Sequence, residues 1–185
     1  MPGGQFIHGK LQGNGHISFS NGDKYQGAFK DGFRSGFGTM EYRNLSCYER
    51  GGDGLQMQEG KDHATYSGMW SHDKRHGAGS MTWADGSRYE GEWRFDMRFN
   101  GTMFMIDNCA YTGEFKNDVY CGFGKLRMID GTVFSGIFVE GKCPKIGRVV
   151  TEDGDLYEGE VEDFKPEGVG RMVHVNKNVY DGKWS

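Results

Sequence analysis

Aromatic residues recur along this chain at a nearly fixed interval. Tyr66, Tyr89, Tyr111, Phe134, Tyr157 and Tyr180 are separated by steps of 23, 22, 23, 23 and 23 residues. No other feature restricts the fold as much, because a unit this short cannot bury a core alone and must stack on its own copies. The register reaches back to Tyr25, 41 residues before Tyr66, with Tyr48 standing 23 residues after it. Two positions after each regular anchor comes a glycine: Gly27, Gly68, Gly91, Gly113, Gly136, Gly159 and Gly182. Four positions after it, in most copies, comes a second aromatic: Phe29, Trp70, Trp93, Phe115, Phe138 and Trp184. A Gly-x-Gly element follows at 36/38, 77/79, 122/124 and 168/170, and Asn21-Gly22, Asp85-Gly86, Asp130-Gly131 and Asp153-Gly154 precede the next anchor.

These spacings are those of β-hairpins. In Tyr66-x-Gly68-x-Trp70, alternate residues share one face of a strand. Gly77-x-Gly79-x-Met81-x-Trp83 alternates likewise after a loop of about six residues. Asp-Gly and Asn-Gly supply the positive φ that hairpin turns demand, while glycines on the aromatic face leave room for a neighbouring ring. Thirty-two glycines with only three prolines, and 14% aromatic residues, fit many strands joined by tight turns. A lone hairpin is marginal, but stacked copies bury a continuous row of Tyr, Trp, Phe and Met. The expected architecture is all-β: about seven to eight stacked hairpins of ~23 residues, forming one elongated antiparallel sheet of about fifteen strands, on the order of 70 Å long and without a globular pocket.

The pattern resembles the MORN (membrane occupation and recognition nexus) repeat. Residues 66–79 (YSGMWSHDKRHGAG), followed by Asp85-Gly86-Ser87-Arg88-Tyr89-Glu90-Gly91-Glu92-Trp93, match its Tyr-x-Gly-x-aromatic, loop, Gly-x-Gly, turn order. The resemblance covers roughly residues 13–184 and predicts one array over 1–185. Several copies depart from it. Tyr48 is followed by Arg50 where glycine is expected, so about 43–65 reads as a shortened, irregular repeat. Asn100 and Thr102 replace two glycines, Lys145 replaces another beside Cys143-Pro144, and Val161 replaces an aromatic. These sites either bend the array, mark a contact surface, or reflect drift.

No enzyme motif emerges. The chain lacks a phosphate-binding loop, a Gly-x-Ser-x-Gly elbow and a His-Glu-x-x-His helix. Its Gly-x-Gly elements open strands, without the helix N-terminus that would hold a phosphate. His72 and His76 are placed in a hairpin loop, so no metal and no cofactor is expected. The alternating Glu90, Glu92, Glu114, Glu158, Glu160 and Glu162 are read as a solvated face opposite the aromatics. A net charge of −4 with no basic stripe argues against nucleic acid. The N-terminus lacks the charged start and apolar run of a signal peptide. With no Cys-x-x-Cys, the four cysteines read as reduced thiols of a cytoplasmic protein.

The expected function is a non-enzymatic protein-interaction scaffold. Its partner is a helical or extended segment lying along a face lined by Tyr66, Trp70, Met81, Trp83, Tyr89, Trp93, Met103 and Phe115. The family resemblance implies assembly or tethering in a cytoskeletal, ciliary or flagellar complex. Two alternatives stand beside it. One is docking on anionic phospholipid through Lys74, Arg75, Arg94, Arg98, Lys142, Lys145 and Arg148. The other is an accessory role in a longer enzyme. Self-association fits all three.

Overall fold

The computed structural model of the protein describes residues 5–43, 47–51, 54–58 and 63–185. Among them there is no helix. The strands are β1 (Gln5–Ile7), β2 (Lys10–Ser18), β3 (Lys24–Lys30), β4 (Phe33–Arg43), β5 (Cys47–Gly51), β6 (Gly54–Gln58), β7 (His63–Ser71), β8 (Lys74–Thr82) and β9 (Arg88–Arg94). They continue with β10 (Met97–Phe104), β11 (Ala110–Lys116), β12 (Val119–Arg127), β13 (Val133–Phe138), β14 (Ile146–Val150), β15 (Leu156–Glu162), β16 (Lys165–Val173) and β17 (Val179–Trp184). Fifteen of them join one antiparallel sheet in which spatial order is sequence order, with β4 beside β7. The chain divides into two compact units, Met1–Asp96 and Met97–Ser185.

The glycine pairs explain why the tyrosines recur. Tyr66 lies opposite Met81, and Gly68 opposite Gly79. The Tyr66 ring lies across that pair, so that a Cβ on Gly79 would stand 2.6 Å from Tyr66 Cζ. Gly38 and Tyr25, Gly124 and Tyr111, and Gly170 and Tyr157 repeat the arrangement. Each of these hydroxyls donates to the carbonyl three residues ahead: Tyr25 to Ala28, Tyr66 to Met69, Tyr89 to Glu92, Tyr111 to Glu114 and Tyr157 to Glu160, at 2.7–3.1 Å. The second aromatic packs edge-on against the anchor, as in Tyr66–Trp70 and Tyr89–Trp93, both 5.1 Å between centroids. A phenol buried this way keeps its polar tip satisfied while its ring supplies the apolar area. In the Phe134 copy no hydroxyl is present, and Pro144 instead of a tyrosine ring covers Gly136.

Three features differ from the expectation. The loop of about six residues is a two-residue turn: Ser71 pairs with Lys74, and His72 and Asp73 both take positive φ, 48° and 66°. The surplus residues belong to β8 and are absorbed by a bulge between Gly68 and Trp70, with Gly77 at φ 77°. Second, Asn100 and Thr102 do not stand in for the glycines; Gly101 lies opposite Gly113 and Met103 opposite Tyr111. The deleted residue is thus taken up before Gly101, and the glycine pairing survives. Third, β5 and β6, the described strands between Arg43 and His63, take no place in the ladder. β5 and β6 pair only with each other, and Arg43 pairs directly with His63 across the insertion. The glycosylation sequon Asn44-Leu45-Ser46 lies outside the described residues.

The Asn-Gly and Asp-Gly turns form as expected, with Gly22, Gly86, Gly131 and Gly154 at φ 88–90°. In one of them the Asp85 carboxylate accepts from the Ser87 hydroxyl (2.6 Å) and backbone N–H (2.8 Å), which holds its pKa below the usual value.

Candidate functional site

Six of the eight candidate contact residues, Tyr66, Trp70, Met81, Tyr89, Trp93 and Phe115, are buried within the chain. Trp83 and Met103 are half-buried. What closes the aromatic face is a set of arginines that composition alone does not reveal. Arg34 stacks over Trp70, Arg75 over Trp93 and Arg98 over Phe115, at 4.5, 4.3 and 5.0 Å from the ring centroids.

Each arginine is fixed by an aspartate from the turn of the following hairpin. Arg34 donates from its backbone N–H and Nε to Asp73 Oδ1 (2.8 and 3.0 Å) and from an Nη to the Asp73 carbonyl (2.9 Å). Arg75 makes the same three bonds to Asp96, and Arg98 to Asp118. The remaining Nη faces a thioether, Met40, Met81 or Met103 respectively. Asp73, Asp96 and Asp118 occupy positive-φ turn positions, so their carboxylates are delivered by the turn geometry itself. The chemistry is that of a planar guanidinium holding carboxylate, carbonyl and ring together, which lysine cannot reproduce. The signal was present in the sequence as Arg five residues after the second aromatic with Asp one hairpin later.

The motif changes towards the C-terminus. Tyr120 replaces the arginine and stacks on Tyr111 at 4.1 Å. Cys143 then occupies the arginine position, Phe164 the aspartate position and Val161 the aromatic position. An open depression of about 830 Å³ lies there, lined among others by Lys142, Cys143, Lys145, Ile146, Val161, Glu162 and Phe164.

The opposite face carries the glutamates, all exposed, but it is not uniformly polar. The central residue of each Gly-x-Gly points outward, and Phe37 and Phe123 are about 60% exposed there. Phe37 pairs with Met69, Phe123 with Ile137, and exposed Ile146 follows on the next strand. Reading Gly-x-Gly for its glycines concealed this stripe; its middle letter was the signal.

Of the cationic candidates, Arg75 and Arg98 are turned inward onto Asp96 and Asp118, while Arg94 and Arg148 lie against Glu92 and Glu158. His72 sits at the turn with its ring near Phe33, and His76 lies in β8 against Phe95. Among the described residues no group of three or more His, Cys, Asp or Glu is placed to hold a metal ion. Cys109, Cys121 and Cys143 are free thiols, and desolvation raises the pKa of each.

Residues 4–24, 25–47, 66–88, 89–99 and 111–133 match the MORN repeat, together more than half of the chain. Alsin from rat matches at 26% identity and human alsin at 28%, each over 127 residues, which is 65% of this chain and 7% of alsin. The chain therefore spans a small fraction of the curated relatives it matches. The tyrosine–glycine arrangement continues beyond the matched segments, at Tyr157 over Gly159 and Gly170.

Proposed function

The chain belongs to the MORN-repeat family, a non-enzymatic class of module that engages proteins or membranes, and on that premise we propose that it is a scaffold docking a protein segment on its outward face. The observation that supports this reading is the stripe of Phe123, Ile137 and Ile146, with Phe37 and Met69 in the other unit. These side chains contribute nothing to the buried aromatic row, and contiguous apolar area left in water is a feature of binding surfaces. A helical or extended segment laid across the strands of the second unit would cover Phe123, Ile137 and Ile146, and Phe37 and Met69 form the corresponding pair in the first unit. The setting implied by the resemblance is a cytoplasmic assembly of cytoskeletal, ciliary or flagellar type.

Crosslinked capture of the tagged chain from lysate, beside the F123S/I137T variant, tests the proposal. Loss of a saturable partner with unchanged thermal unfolding supports it; capture that survives both substitutions overturns it. Sedimentation of the purified chain separates self-association from a second protein.

Docking on anionic lipid is the second reading. The inward engagement of Arg75 and Arg98 takes two cations from it, leaving Lys74, Lys142 and Lys145 as its principal contacts. Flotation with anionic liposomes at physiological salt, lost in K74E/K142E/K145E, would favour it over the scaffold.

A further inference from the structure

We propose that the outward face of β12, β13 and β14 seats an amphipathic helix of a partner protein, with its apolar ridge on Phe123, Ile137 and Ile146 and a flanking ridge of carboxylates on Lys125 and Arg148. The inference rests on the scaffold reading and names the chemistry of the segment which that reading leaves open.

The register of these strands lays out two rows on one face. The Tyr111 ring covers Gly124, and Phe134 and Val149 are buried, so the residues beside each of these in sequence point outward. Phe123, Ile137 and Ile146 form the first row and are 60–73% exposed. Two residues along each strand comes the second row, in which Lys125 pairs with Ser135 and Ser135 with Arg148. Arg127 extends the cationic edge two residues further along β12. The two rows stand about 6.7 Å apart along the strands, and their members about 4.8 Å apart across them. A helix crossing the strands repeats one ridge every 4.5–6 Å or so, through its i, i+3 and i, i+4 neighbours, and keeps step with the row. An extended segment repeats one face only about every 6.7 Å and falls out of step within two strands.

Charge decides which helix fits. None of the three strands contains an aspartate or glutamate, in a chain whose net charge is −4. Lys125, Arg127 and Arg148 are all exposed. Lys125 and the Ser135 hydroxyl make no hydrogen bond or ion pair among the described residues. Arg148 reaches Glu158 only at 3.7 Å, in a pair open to water on both sides, which contributes little and yields to a better placed acid. Cations beside an apolar row complement carboxylates beside an apolar ridge, and such matching selects the partner and its orientation. The patch also has acidic borders, Glu114 on β11 and Glu158 with Glu160 on β15. A bilayer or a nucleic acid would press on these acids together with the cations, whereas a single helix seats between them. The borders fix its position as well, because a carboxylate ridge displaced sideways meets carboxylates.

The test is an NMR titration of the isotope-labelled full chain with an alanine-based helical peptide carrying leucine at i, i+4 and i+7 and glutamate at i+1, i+5 and i+8. Counterparts with glutamine or lysine in place of glutamate keep similar helix propensity. The expected result is saturable shifts centred on 121–127, 133–137 and 146–150, with the glutamate peptide binding about tenfold more tightly than the glutamine one, the factor for one charge-assisted hydrogen bond. K125E/R148E should reverse the preference, so that the lysine peptide now binds and the glutamate peptide does not. Loss of folding cannot produce that reversal. Should the new neighbour of Glu158 disturb the sheet, K125E alone still reads the preference. Equal binding of the glutamate and glutamine peptides, or no saturable shifts on these strands, would overturn the proposal. So would flotation on phosphatidylserine vesicles that K125E/R148E abolishes. The two readings fail separately. Lysate capture lost in F123S/I137T but kept in K125E/R148E leaves the scaffold standing and removes the acidic helix, and a capture that finds no partner leaves the peptide titration readable.

Discussion

At the residue scale the fold depends on what glycine lacks. Gly79 and Gly86 illustrate two different reasons for the same residue. A methyl group at Gly79 meets the Tyr66 ring, whereas at Gly86 nothing lies within 4 Å and only the positive φ of 88° is at stake. Gly79→Ala should therefore lose roughly 2–4 kcal/mol and Gly86→Ala about 1 kcal/mol, measured by urea unfolding. The tyrosines add a pH dependence. Burial raises the phenol pKa of Tyr25 and of Tyr111 to about 12, and that of Tyr66 further still. Because the folded-state pKa lies above the unfolded value of 10.0, their contribution is complete below pH 10. It is lost as pH rises through 12. Alkaline titration should show tyrosinate absorbance appearing together with loss of β-sheet circular dichroism. Non-cooperative tyrosine ionisation near pH 10 in an intact sheet would contradict the packing described. The tyrosine–glycine relation was legible in the sequence, because its spacing is local and repeats.

The hairpin is the next scale, and here sequence reading reached its limit. Alternation identified the strands, but it could not count the residues in the turn. His72 and Asp73 form a two-residue turn because Asp73 tolerates positive φ and is rewarded by Arg34 one hairpin earlier. That reward comes from a residue 39 positions away, which no local pattern reports. The same omission led Arg75 and Arg98 to be grouped with surface cations. A double-mutant cycle on Arg75 and Asp96 should give a coupling of about 1–2 kcal/mol, above that of a typical exposed pair, since carboxylate and carbonyl are both bound. Arg75→Lys should recover less than half of it. A coupling indistinguishable from zero would show that the stacking on Trp93, and not the aspartate, holds the arginine. The candidate site was legible only in part. The aromatic row stood out by residue type, yet type does not distinguish a ring that packs inside the chain from one offered to a partner. Phe37 and Phe123 each stand between the two glycines of a Gly-x-Gly element, where alternation places them on the face opposite the aromatic row.

At the scale of the whole molecule, each repeat depends on its neighbours and on little else, so stability should be regional. Hydrogen exchange of Gly79→Ala should show reduced protection through β7, β8 and β9, with β14, β15 and β16 unchanged. A uniform loss across both units would require a single cooperative transition instead. The hairpins also have two unlike ends. At one, arginine and aspartate link successive turns; at the other, the chain simply passes from one repeat to the next, and it is there, between Arg43 and His63, that an extra hairpin is accommodated without breaking the pairing of β4 with β7. Such a chain can gain novelty along one border while the other preserves phase. Insertions can be spliced between repeats at little cost to the ladder, but a length change at the turns would leave a guanidinium without its acid, so the lineage of such arrays should be written in whole-repeat duplications and in grafts confined to a single side.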